Sequence, residues 1–97
     1  MLKSRKKLIE LIKFRYDIKE IINLWDPLKI MDISFSNEYS YEINRVIEEL
    51  LKNTTIQNLS KKINKIFKNS YNGVYKIEKN EEVEIAKKIF EEYNNIL

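Results

Sequence analysis

Four carboxylates in one short stretch are the residues of this chain best placed to do chemistry. Asp26, Asp32, Glu38 and Glu42 precede any other acid of the second helical pattern, and Glu38 and Glu42 lie one turn apart on a shared helical face. A corner in the chain between them would bring Asp26 or Asp32 alongside. Such a cluster holds a hard cation or runs acid-base chemistry. The same residues also have plainer uses: Asp26 as a helix cap, Glu38 and Glu42 as complements to a helix N-terminus, and Arg45 as their ion-pair partner. Together with Tyr41 they form a third possibility, a recognition face for a protein, because this region gathers negative charge in a chain whose net charge is +3.

The positive counterpart is a set of lysines. Lys61, Lys65 and Lys68 recur at helical spacing, with Lys52 near in sequence and no acid from Lys52 to Lys68. A stripe of this kind tracks phosphates or is a solvated face. Only Arg5, Arg15 and Arg45 supply guanidinium, the group suited to bidentate phosphate and base contacts. The chain has no His and no Cys. That composition excludes Ser-His-Asp and Cys-His catalysis, disulfides and the common zinc sites. An enzyme here would have to work with carboxylates, Lys, Tyr or Ser alone, and a carboxylate cluster without His or a Gly-rich loop is a weak signal, so no metal, no cofactor and no enzymatic activity are expected.

Positioning these residues falls to helices. A length of 97 residues supports one domain, here 1–97, with a single modest core, and 43% hydrophobic with 34% charged residues is the balance of a folded chain. One Gly and one Pro argue against sheets joined by tight turns. The spacing predicts an all-α, compact four-helix domain with a kinked corner at Trp25-Asp26-Pro27. The first helix is expected over about Lys6 to Leu24. Its apolar positions form two stripes, Leu11, Phe14, Ile18, Ile22 and Trp25 on one side and Leu8, Ile9, Ile12 and Tyr16 on the other. Apolar over so much of its circumference, it reads as a central helix packed on two sides; the alternative is that one stripe serves a partner or a second copy.

Asp26 and Pro27 then read as the cap and first residue of a helical turn, and Trp25 as the apolar pin of the corner. A second helix follows over about Glu38 to Lys52, capped by Ser36 or Asn37. Its inner face is expected to hold Tyr39, Ile43, Val46, Ile47, Leu50 and Leu51, with Glu38, Glu42 and Glu49 outside. Thr55 caps a third helix running to about Asn69, with Ile56, Leu59, Ile63, Ile66 and Phe67 inward, and the short link makes helices two and three antiparallel neighbours. Asn72-Gly73 suits positive φ, and Asn80 is expected to cap the last helix. Tyr16, Tyr39 and Tyr93 fall on core stripes. Tyr41, Tyr71 and Tyr75 are the candidates for outward contacts.

The pattern Trp25-Asp26-Pro27-Leu28, Glu38-Tyr39-x-x-Glu42-Ile43, Leu59 with Ile63 and Ile66-Phe67, and Ile85-Ala86-Lys87-Lys88-Ile89 resembles the YugE-like family of small bacterial proteins over most of the chain. The resemblance implies a compact helical domain. The corner is also similar to a Trp-Asp-Pro-Ile and Asp-Glu-Tyr-Asp pattern of immunity proteins encoded beside bacterial toxins, with Asn37 and Ser40 standing here in place of two acids. From that resemblance and the local charge, the expectation is a cytoplasmic, non-enzymatic protein that binds a macromolecular partner, most concretely a toxin that it neutralises by occlusion. Its contact surface would be Asp26, Asp32, Glu38, Tyr41 and Glu42. The alternatives are a nucleic-acid-associated regulator using Lys61, Lys65 and Lys68, and a subunit that self-associates through the spare stripe of the first helix. Monomer and homodimer both fit, and no run is long and apolar enough for a membrane span.

Overall fold

A computed structural model describes residues 2–30 and 38–96, with side chains for 8–30 and 38–95. Four helices run in order, α1 (Leu2–Trp25), α2 (Ser40–Leu50), α3 (Ile56–Ser70) and α4 (Lys79–Ile96), and no strand occurs among the described residues. Helix α1 packs beside α2 and α4, and α3 packs beside the same two from the opposite corner. The predicted all-α four-helix architecture is what the chain adopts.

Each helix contributes one stripe to a shared core. Phe14, Ile18, Ile22 and Trp25 come from α1, Ile43, Val46 and Leu50 from α2, Leu59, Ile63 and Phe67 from α3, and Ile85, Ala86 and Ile89 from α4. Trp25 pins the corner as expected: its ring meets Phe67 edge-on at 5.4 Å and Tyr75 at 6.4 Å, while its Nε1 donates to Glu81 at 2.9 Å. Such aromatic pairs contribute about 0.5–1.5 kcal/mol each beyond burial.

The corner differs from the expected cap. Asp26 does not start a helix; it ends one. Its φ is +45°, and its N–H closes the last turn on the Ile22 carbonyl at 2.9 Å, the left-handed helix stop that Asp tolerates better than most residues. Pro27 follows because it cannot continue α1. The next turn closes from the Lys29 N–H to the Asp26 carbonyl at 3.1 Å, with Lys29 also left-handed at φ +58°.

Other boundaries shift for local reasons. Helix α2 begins at Ser40 with Tyr39 in the N-cap position and no side-chain cap; Ser36 and Asn37, the expected caps, lie outside the described residues, as does Asp32. Thr55 does cap α3, its hydroxyl accepting from the Asn58 N–H at 3.1 Å. Gly73 takes φ +82° in the turn that follows α3. Asn80 lies inside α4, whose first turn instead closes on the Glu78 carbonyl.

Candidate interaction surface

Two of the four carboxylates with chemical potential, Asp26 and Glu42, are tied into the fold by hydroxyl groups. Asp26 Oδ1 accepts from the Tyr39 hydroxyl at 2.7 Å and from the Ile30 N–H at 3.0 Å, and the same tyrosine oxygen accepts from the Leu28 N–H at 3.2 Å. Tyr39 is fully buried, so the latch fastens the corner to the start of α2. Burial, then the bond to Asp26, pushes the Tyr39 phenol well above its usual range.

Glu42 departs most from expectation. It points inward, 4% exposed, where its carboxylate accepts from Ser70 Oγ and the Tyr71 hydroxyl, each at 3.1 Å. The reason lies across the bundle: the end of α3 presents two hydroxyls to that position, so an anion on the inner edge of α2 is satisfied there. Burial and the adjacent Glu42 charge push the Tyr71 phenol up to about 12. Glu82, 3% exposed, repeats the arrangement in α4, its Oε2 accepting from the Tyr75 hydroxyl at 2.6 Å and from Asn64 Nδ2 at 2.7 Å. Tyr75 is thus a buried residue, and Tyr71 a half-buried one, rather than outward contacts. Burial first and Glu82 second raise the Tyr75 phenol far above its ordinary value.

Of the described residues of the acidic recognition face, Glu38 and Tyr41 are exposed, Asp26 is half-buried and Glu42 is buried; Asp32 lies outside the described residues. Arg45 does not pair with Glu38 or Glu42; it sits 4.0 Å from Glu48 and over the Tyr41 ring at 6.0 Å. Asp26, Glu38 and Glu42 therefore do not converge, and no group of three or more potential metal ligands forms among the described residues. Lys61, Lys65 and Lys68 are exposed on one side of α3, as expected. Lys61 and Lys65 line a basin of about 460 Å³ with Lys52 and Lys62, but Glu49 from α2 enters it and pairs with Lys52 at 3.4 Å and Lys62 at 4.0 Å.

The feature without a structural use is apolar. Helix α1 is not central: one stripe reaches the core through Phe14, Ile18, Ile22 and Trp25 but without its expected member Leu11, which with Leu8, Ile9, Ile12 and Tyr16 stays 41–63% exposed. Tyr16, assigned by spacing to the core, bonds Glu20 one turn on, which raises its phenol above the usual range. Leu51, also expected inward, is 59% exposed because α2 has already ended at Leu50. Between α1 and the end of α2 lies a groove of about 460 Å³ whose walls include Leu11, Phe14, Ile47, Leu51 and Tyr93, with Arg15, Asn44 and Glu48 at its polar side. Arg15 bonds the Asn44 side chain across it. The doubled apolar pattern of α1 was the sequence signal for this surface.

Among the described residues, no helix is long and apolar enough to cross a membrane. Residues 17–93 match the family described as a domain of unknown function, DUF1871. No curated protein and no solved structure matches the chain.

Proposed function

The chain belongs to the DUF1871 family, and we propose that it acts as a cytoplasmic binding protein without catalytic chemistry, engaging a macromolecular partner through the exposed face of α1 and the adjoining groove. One observation carries this reading: five large apolar side chains, Leu8, Ile9, Leu11, Ile12 and Tyr16, stand 41–63% exposed on neighbouring turns. Contiguous apolar surface of this kind marks sites of association. The buried acids support the same conclusion from the other side, since Glu42 and Glu82 are committed to Tyr, Ser and Asn donors within the fold.

Toxin neutralisation by occlusion is the most concrete form of such a role, suggested by the resemblance of the corner to immunity proteins. The apolar face supports that role better than the acidic one does, because among the described residues of the acidic face Glu38 and Tyr41 alone are exposed. Nucleic-acid association through Lys61, Lys65 and Lys68 has weaker support, as Glu49 offsets the neighbouring positive charge.

The test is co-expression with the products of adjacent reading frames, comparing wild type with the double variant Leu8→Glu, Ile12→Glu. A stable complex with wild type, lost in a double variant of unchanged helicity, is expected. Undiminished complex formation by the double variant would overturn the assignment of this face.

A further inference from the structure

We propose that a pocket between α3 and the start of α4 binds a small zwitterion, an α-amino acid with a short apolar side chain. Its ammonium sits on Glu82 and its carboxylate faces Lys61 and Lys79. No residue of α1 lines this pocket, so the inference stands apart from the binding reading above.

The two buried glutamates differ in how fully the fold uses them. Glu42 spends both carboxylate oxygens, Oε1 on Tyr71 and Oε2 on Ser70. Glu82 takes both of its bonds, from Tyr75 and Asn64, on Oε2, and its Oε1 has no partner among the described residues. No lysine or arginine among those residues pairs with it either. A carboxylate only 3% exposed thus keeps one oxygen idle and its charge without a cation, a costly arrangement that a bound cationic donor would relieve. Ser60 adds a second, independent sign. It is 4% exposed, it lines the same pocket, and its hydroxyl also has no partner among the described residues. Buried polar groups are nearly always satisfied, so two with spare capacity on one cavity wall mark a place for a ligand.

The lining selects the chemistry. Asn64 gives its amide N–H to Glu82 and keeps its carbonyl oxygen, so the walls offer acceptors from Glu82, Asn64 and Ser60. An ammonium, with three donors and a positive charge, suits that set. Lys61 and Lys79 also line the pocket, are exposed, and pair with no acid among the described residues, so the solvent side is cationic. A simple anion would meet Glu82, and a simple amine would meet the two lysines. A zwitterion answers both, and Ile77 supplies apolar wall for a short side chain. The volume, about 280 Å³, lies at the small end of ligand pockets, which run to about 1,000 Å³, and so suits a small molecule.

The test is a titration of the isotope-labelled chain with glycine, L-alanine and L-valine, read by the amide resonances of Ser60, Asn64 and Glu82. At least one of the three should shift them saturably, with a dissociation constant of about a millimolar or tighter. Isobutylamine and 3-methylbutanoate, which keep the side chain of valine but only one charge each, should bind at least about tenfold more weakly than valine. Glu82→Gln retains an acceptor for Tyr75 and should abolish the shifts. Lys61→Gln with Lys79→Gln, at exposed positions, leaves the fold intact and decides the matter should Glu82→Gln fail to fold. That double variant should weaken the amino acid about tenfold without weakening isobutylamine, and Lys65→Gln, outside the pocket, should change neither. No saturable shift with any of the three amino acids, equal binding of either single-charge analogue, or undiminished binding by the folded double variant would overturn the inference.

Discussion

Replacing Asp26 by Ala should destabilise the fold by about 3 to 5 kcal/mol, and the structure shows where that comes from. Two hydrogen bonds to the carboxylate disappear, from the Tyr39 hydroxyl at 2.7 Å and the Ile30 N–H at 3.0 Å. Bonds to charged groups contribute about 1.5–3 kcal/mol each, and partial relaxation of the corner reduces their sum. Alanine must also take the left-handed φ of +45°, at a cost of about 1 kcal/mol. Against a total stability of about 5–15 kcal/mol, the variant is folded but marginal. Asp26→Gly removes the backbone penalty and should recover about 1 kcal/mol. Tyr39→Phe removes the latch from its other end, and a double-mutant cycle between the two positions should show a coupling of about 1–2 kcal/mol. Urea unfolding followed by fluorescence of Trp25, the sole tryptophan, measures each term. An Asp26→Ala variant within about 0.5 kcal/mol of wild type, or additive effects in the cycle, would refute the latch.

Glu38 and Glu42 should separate cleanly: Glu38→Lys, at an exposed position just before α2, leaves thermal stability nearly unchanged, while Glu42→Lys places a cation where Ser70 and Tyr71 donate and should unfold the domain. Equal melting temperatures would contradict the inward placement. Stability should also fall on the alkaline side, because the unfolded chain loses the Tyr71 proton at its usual 10.0 while the folded chain holds it to about 12. The contribution is complete below pH 10 and is lost as pH rises toward 12, with Tyr39 and Tyr75 adding to the trend in the same direction; a melting temperature constant from pH 9 to pH 11 would count against it. Lys61→Glu with Lys65→Glu should leave folding intact and affect only weak, salt-sensitive binding to nucleic acid, measurable by anisotropy against ionic strength. Tight binding at physiological salt, abolished by that double variant, would put the lysine face first.

The helices were legible in the sequence because apolar residues recur at their period and a local cap marks one boundary, as Thr55 does for α3. Asp26-Pro27 misled because a helix stop and a helix start use the same residue types; a left-handed Asp before Pro reads like an N-cap until φ is known. Glu42 misled for a different reason. Projection of α2 alone sets a charged residue outside, and only the end of α3, with Ser70 and Tyr71, supplies the hydroxyls that make its burial stable. Tyr75 belongs with it, since its buried position depends on Glu82 one helix later. The second stripe of α1 was visible as a pattern, but its exposure depends on how early α2 ends.

These placements bear jointly on what kind of molecule the chain is. Hydroxyl donors hold Asp26, Glu42 and Glu82, and each bond fastens two different segments: the corner to the start of α2, α2 to the end of α3, and α4 to the α3 side of the bundle. Acids used this way resist reaction, because proton exchange or ligand capture at their bonded oxygens would release a tertiary contact. The interior is therefore specified by its polar groups as well as by its apolar stripes. The long first helix is the exception. It carries more apolar surface than α2 and α4 cover, and in a chain with this little core, unburied Leu8 and Ile12 cost solubility without contributing to the fold. Intramolecular packing leaves this stripe uncovered, and contiguous apolar surface of that kind, which marks sites of association, is what the proposed binding role draws on.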